Sequence, residues 1–413
     1  MNRPIPSDQA LSFPASIPIQ LDGKPVEKIT AFLFDQGGNE NPATLLANVN
    51  KSFMGSNILG MGFTFDDTNS EASSILEMDN LINRNPRNEE LIFAFLGGEE
   101  INEDPKHKHH RFIINFSNML EEEAKEWSDL FRIVEEKVKP MRLAQKDKSA
   151  KDKWWQFARI RPELYETIRD NERVLVCCQT SKYRTFTFTS NKLVFSTKIV
   201  IFSHQEFSFL AILQSRVHEI WTIFMGSSMK DDPVYTPSDC FQTFPFPIDW
   251  ETNPTLESAG KTYYEFRADL MVRHNQGLTA TYNRFHDPDE INPDILKLRQ
   301  LHAECDRAVL DAYGWQDIPT DCEFLLDYED EDPEGSSKRK KPWRYRWSET
   351  VHDEVLARLL KLNQKRAAEE IQGKTKRRKE PAKTPTANQT ATVPRSAKQL
   401  DLIPPDQEQL DLL

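Results

Sequence analysis

The stretch VLVCCQTSKYRTFTFTSNKLVFSTKIVIF, Val174 to Phe202, decides the fold class. Val174 to Cys178 and Leu193 to Phe202 are apolar runs rich in β-branched residues, and Arg184-Thr-Phe-Thr-Phe188 alternates strictly, as a half-buried strand does. Polar clusters between them supply turns. With a further apolar run from Phe207 to Leu213, these residues predict a small β-rich domain over 141–250. Leu213, Val217, Ile220, Trp221 and Phe224 then share one helical face, ended at Gly226, so a helix is expected to lie across the sheet.

On the N-terminal side, residues 1–140 mix short apolar runs (Ile29 to Phe34, Leu91 to Leu96) with Gly-Gly turns, and suggest an α+β segment. Met119 to Val138 has helical spacing, which Pro140 should stop before a Lys-rich linker. On the C-terminal side, 251–320 is expected to be helical: Ile295, Leu298, Leu301, Cys305, Ala308, Val309 and Ala312 form a stripe ended by Gly314. An acidic-to-basic linker over 321–340 leads to a helix over 341–372, with Ser348 as its N-cap. The Lys, Pro, Thr and Gln composition of 373–413 predicts a disordered tail. The whole is α+β.

The composition, 38% hydrophobic and 29% charged over 413 residues, fits a globular chain of several domains. No run approaches the roughly 20 apolar residues of a membrane helix and no signal peptide opens the chain, so a cytoplasmic protein is expected. The cysteines at 177, 178, 240, 305 and 322 contain no CxxC pair and suggest neither zinc nor disulfides. A net charge of -12 argues against a polyanion partner until its distribution is considered. Lys137 to Arg161 holds nine Lys/Arg against two Asp, and Lys338 to Lys379 fifteen against five acidic residues. Asp321 to Glu334 holds eight acidic residues and no basic one. Two basic segments in an acidic chain suit either phosphate binding or plain solvated faces.

More specific runs are Gly55 to Phe63, Val138 to Arg142, Trp154-Trp155 leading to Arg161-Pro-Glu-Leu-Tyr165, Ser215 to Trp221, Tyr235 to Pro247, Gly277 to Pro288 and Asp311 to Trp315. In this order they resemble, over 53–370, the part of MmeI-like type II restriction-modification adenine-specific DNA methyltransferases that follows the catalytic core. The resemblance implies a target recognition domain, double-stranded DNA as partner, a helical scaffold and a place in phage defence. It also implies S-adenosylmethionine in a separately encoded methyltransferase chain, with or without a nuclease, because this chain has no adenine-methylating motif. Asn41, Asn85, Asn253 and Asn292 each precede Pro, but Ala43, Arg87, Thr255 and Asp294 follow where Pro-aromatic is needed. No catalytic, cofactor or metal residue is therefore assigned. Gly60-Met-Gly62 is better explained as a structural turn than as a cofactor loop. Glu135-Glu136-Lys137 lacks the partner carboxylate of a nuclease, and His107, His109 and His110 suit an exposed loop better than a metal.

For DNA, the turns of the β-rich domain should carry base readers: Gln179, Lys182 and Arg184 in one loop, Ser227 and Ser228 in the loop 226–235. Lys148, Lys151, Lys153, Arg159, Arg216 and Lys230 are candidates for phosphate contacts. His218 suits either DNA contact or a structural role, and Trp154-Trp155 fits a domain anchor better than a base stack. Tyr235 to Pro247 should be a fixed aromatic strap, and Gly277 to Pro288 a turn between helices. In the tail, Gln399-Leu400-Asp-Leu402-Ile and Gln409-Leu410-Asp-Leu412-Leu resemble peptides that dock on the replication sliding clamp. Competing readings are an idle truncated relic and a tether to that clamp.

Overall fold

The computed structural model describes residues 20–21, 24–26, 29, 41–229, 232–326 and 343–379; within them, no side chain of 20, 21, 24, 227–229, 232 or 373–379 is described. The paired tail motifs, Lys230 and most of the 321–340 linker lie outside the described residues.

Along the chain come β1 (Ser52–Met54), β2 (Thr64–Phe65), α1 (Ile75–Arg84), β3 (Ile92–Leu96), α2 (Gly98–Glu103), β4 (Arg111–Ile114), α3 (Ser128–Lys137), α4 (Lys139–Ala144), α5 (Lys148–Asp152) and α6 (Pro162–Ile168). Pro140 does not end a run into a linker. It sits in the first turn of α4, where a missing N–H costs nothing. Next are β5 (Arg173–Cys178), β6 (Thr187–Ser190), β7 (Val194–Phe195), β8 (Ile199–Phe202), α7 (Phe207–Gln214) and α8 (Arg216–Met225). Phe207 to Leu213, expected within the β-rich unit, is a helix buried on every side. A short, wholly apolar run has no period to tell strand from helix.

Two four-stranded sheets result. The first has the order β1-β8-β5-β6 and is antiparallel throughout; the second has the order β2-β4-β3-β7, with β3 and β7 parallel. Both sheets use strands from either side of residue 140, so residues expected to form two units share their ladders. One core holds the first sheet, α7, α8 and the C-terminal helices; the other holds the second sheet, α3 and the Trp154-Trp155 pair.

The chain continues through a hairpin of β9 (Ser227–Met229) and β10 (Asp232–Val234), where a loop was expected. The strap follows, with Phe241, Phe244 and Phe246 buried as core. The helices α9 (Pro254–His274), α10 (Leu278–Phe285) and α11 (Pro293–Ala312) come next, then β11 (Glu323–Leu326), β12 (Trp343–Arg346) and α12 (Glu349–Lys379). Gly277 caps α10, so the stretch expected as a turn is itself a helix. The last helix runs past Gly373 into the expected tail.

A buried ion pair locks α8 to α11. The Arg216 guanidinium donates to Asp306 Oδ2 at 2.5 Å and to His302 Nδ1 at 2.7 Å, while its backbone N–H donates to Asp306 Oδ1 at 2.9 Å. Arg216 is 3% exposed, which removes it from the candidates for phosphate contact. Arg216 beside it holds the Asp306 carboxyl below its usual range against the opposing effect of burial. A depressed folded-state value stabilises above the unfolded value of about 4 and loses that stabilisation as pH falls through the folded value. Asp306→Ala should therefore cost about 3–5 kcal/mol at neutral pH. In urea denaturation, the gap between Asp306→Asn and wild type should close as pH drops below about 4.

Candidate nucleic-acid interface

The alternation of strand directions in the first sheet brings four chain segments to one edge. The C-terminal ends of β1 and β5 and the N-terminal ends of β8 and β6 all meet there. Backbone bonds continue along this edge as a ribbon. Arg159 pairs with Asn57, and Ser56 N–H donates to the Phe195 carbonyl at 2.8 Å. Gln179 N–H donates to the Lys198 carbonyl at 2.8 Å, and Tyr235 N–H to the Gln179 carbonyl at 2.7 Å. Thr180 pairs with Val234, which carries the ribbon into the β9-β10 hairpin. A Cβ on Gly55 would fall 2.2 Å from the Ser196 carbonyl oxygen, so only glycine permits this approach.

Phe195, Val234 and Tyr235 of the ribbon turn into the core, and polar side chains face outward. Arg159, Lys198 and Lys182 are exposed and Gln179 is half-buried. Lys182 Nζ and the Tyr183 hydroxyl both donate to Asn283 Oδ1 at 2.8 Å, which extends the edge onto α10. Arg344 of β12 donates to the Lys182 carbonyl at 3.2 Å and lies over the Tyr183 ring. Tyr183 itself stacks on His286, their ring centroids 4.9 Å apart. The edge thus joins strand ends, helix and hairpin through short contacts.

Of the residues proposed for base reading, Gln179 and Lys182 lie on this edge, and the backbone of Ser227 and Ser228 forms one strand of the adjoining hairpin. Arg184 does not lie on the edge. It is 6% exposed, its three guanidinium nitrogens have no hydrogen-bond partner, and the guanidinium lies 5.5 Å from the Tyr235 ring centroid. In this conformation it faces the core, so direct base contact is withdrawn. Among the phosphate candidates, Lys148, Lys153 and Arg159 are exposed and Lys151 half-buried. Lys153 and Arg159 line one cleft beside Arg161.

His218 is structural: it is fully buried and its Nε2 meets the Tyr235 hydroxyl at 3.1 Å. Burial, with the charge of Arg184 adding to it, lowers its pKa to about 3. Trp154 and Trp155 are buried as anchors, Trp155 donating to the Met119 carbonyl at 3.0 Å. Gly60, at φ +140°, and Gly62, where a Cβ would meet Lys137 Cβ at 2.5 Å, form a turn packed on α3 and α4. Lys137 Nζ donates to the Ala72 carbonyl at 2.8 Å, a structural bond. His107 Nδ1 lies 2.9 Å from the Ile101 carbonyl, so this half-buried histidine is tied back to α2.

Lys198, Asn283 and Arg344 escaped the sequence reading. The polar break Ser196-Thr-Lys198 inside the run to Phe202 was the available signal for the first; nothing local marks the other two, which tertiary contacts bring in.

The family model for the MmeI target recognition domain matches residues 41–248 of the 413. The chain belongs to the MmeI target recognition domain family. The match begins just before β1 and ends at the close of the strap, so it takes in both sheets and the ribbon. Among solved structures, the Type IIL restriction-modification enzyme MmeI in complex with DNA has a similar fold, with a TM-score of 0.55 at 18% identity. That match covers 84% of this chain and 39% of the MmeI chain, so this MmeI target recognition domain and its helices span well under half of that enzyme. No curated protein matches the chain.

A histidine enclosed in the MmeI target recognition domain core should not titrate near neutrality. Its ring resonances in NMR should stay constant between about pH 5 and 8, a window in which an exposed histidine changes charge. A midpoint for His218 near the ordinary value of about 6.5 would mean that this core opens to water.

Proposed function

We propose that this chain recognises a DNA sequence on behalf of a catalytic unit that it does not itself contain. The observation that carries the reading is the edge of the first sheet, where strand ends, the β9-β10 hairpin and α10 gather exposed Lys and amide side chains on rigid backbone. Base reading needs paired donors and acceptors held on such a frame, since a mobile side chain loses discrimination to entropy. Gln179 matches the adenine edge as a bidentate partner, and Lys182 matches guanine O6 and N7. Lys198 extends the same row, and Lys148, Lys151, Lys153 and Arg159 add sequence-independent attraction to phosphates.

The catalytic unit in this reading is an adenine-N6 methyltransferase using S-adenosylmethionine, supplied by a separately encoded chain, with or without a nuclease, in a restriction-modification system of phage defence. Membership of the MmeI target recognition domain family supports the link to such a catalytic unit. The C-terminal Gln-Leu-Asp-Leu peptides, Gln399 to Leu402 and Gln409 to Leu412, add a tether to the replication sliding clamp.

Selection from a random duplex pool tests the recognition role: the chain, alone or with its methyltransferase, should enrich one motif, and a flat pool would sink the proposal. On the enriched duplex, Lys182→Ala should weaken specific binding by about 1–3 kcal/mol and leave random DNA nearly unaffected. Lys148→Ala should weaken both alike and lower the slope of log affinity against log salt by about 1.

A further inference from the structure

The cleft beside the ribbon has a floor unlike its walls. It encloses about 340 Å³ between α4, α5, α6 and the segment 153–161, and is lined by Arg142, Lys153, Arg159 and Arg161 with Asp147 and Glu163. Four cations thus face two carboxylates. Asp147 is occupied locally, its Oδ1 accepting the Ser149 N–H at 2.9 Å as the cap of α5. No carboxylate pairs with Arg142, Lys153, Arg159 or Arg161 among the described residues. Arg161 Nε donates only to the Gly55 carbonyl, at 3.4 Å.

Arg142 is the unusual member. It is 0% exposed, yet only one of its three guanidinium nitrogens is used: Nη2 donates to the Ile58 carbonyl at 2.8 Å and to the Gln156 carbonyl at 3.0 Å. Nε and Nη1 are buried with no partner. Burial disfavours the Arg142 charge, the Asp147 carboxylate offsets part of that, and leaving Nε and Nη1 unsatisfied adds to the cost. The two bonds tie the segments at Ile58 and Gln156 together and use Nη2 alone. An anion in the cleft would offset the buried Arg142 charge, while Lys153, Arg159 and Arg161 supply donors to its oxygens.

We infer that this cleft is a recessed phosphate site, with Arg142 as its floor and Lys153, Arg159 and Arg161 as its rim. This deepens the DNA reading and rests on it only for the source of the phosphate. Contacts on an open lysine surface slide along the backbone, whereas a recessed arginine takes one phosphate and fixes register. The same chemistry would accept free inorganic phosphate or a phosphoryl group of a small ligand.

The test is a titration of inorganic phosphate into the full chain, followed by calorimetry and by thermal denaturation at constant ionic strength. Wild type should bind one equivalent saturably and melt higher with phosphate. Lys153→Ala and Arg159→Ala, both at exposed positions outside the core, should each weaken that binding about tenfold while keeping the phosphate-free melting temperature. Arg142→Met should abolish it, and if that variant does not fold, the two rim variants carry the test. Competition by a mixed-sequence duplex would support a backbone phosphate, and binding that the duplex does not displace would support a free phosphoryl ligand. An unsaturable response in wild type, or one unchanged in both rim variants, would overturn the site. Motif enrichment without a phosphate response would leave the recognition role intact and remove only this inference. A phosphate response with no duplex binding would do the reverse.

Discussion

Strand β8 makes the polar edge possible, because in the first sheet it is hydrogen-bonded to strands from both halves of the matched region, as β3 is in the second. Its antiparallel pairing with β1 on one side and β5 on the other fixes which residues face the core, since a slip of one residue would turn every side chain over. Its four residues are all buried, so the cost of such a slip is high. The turn Ser196 to Lys198 and the loop after Cys178 are held side by side as a consequence, and Gly55 is required beneath them.

Much of this was legible in the sequence. The run at Val174 to Cys178 marked β5 and the stripe from Ile295 to Ala312 marked α11, whereas the alternation at Arg184 to Phe188 overlaps β6 only at Thr187 and Phe188 and all five of its residues are buried. The buried role of the strap phenylalanines and of Trp154-Trp155 followed from how much apolar area such side chains remove from water. The turn role of Gly60 and Gly62 was also readable, since a lone GxG pair is common and the resemblance places it outside a catalytic domain.

What escaped has physical causes. Residues 52–54 are a strand only because a partner distant in sequence completes the ladder, and a run that short carries no periodic signal; the run Leu193 to Phe202 splits into β7 and β8, which join different sheets. Arg184 and Arg216 look like surface arginines until tertiary contacts bury them, one against Tyr235 and the other against Asp306. Charge counting cannot separate an arginine that binds phosphate from one that locks two helices. Asn283 and Arg344 reach the edge from helices and a hairpin a hundred residues or more away, so nothing in their neighbourhoods announces them.

Asn363, fully buried on α12, trades two hydrogen bonds with the backbone of Ala43 and gives a third to the Thr243 carbonyl. Leu46 N–H is held in turn by Glu370. Residues 41–51 lead into the N-terminal end of β1, and Ser203 N–H meets the Lys51 carbonyl there, so this knot lies at the opposite end of the sheet from Lys198 and Gln179. The molecule therefore has a handle and a blade. A neighbour that grips residues 41–46 or the middle of α12 holds the fold from behind, and leaves the polar edge free to approach a surface of its own.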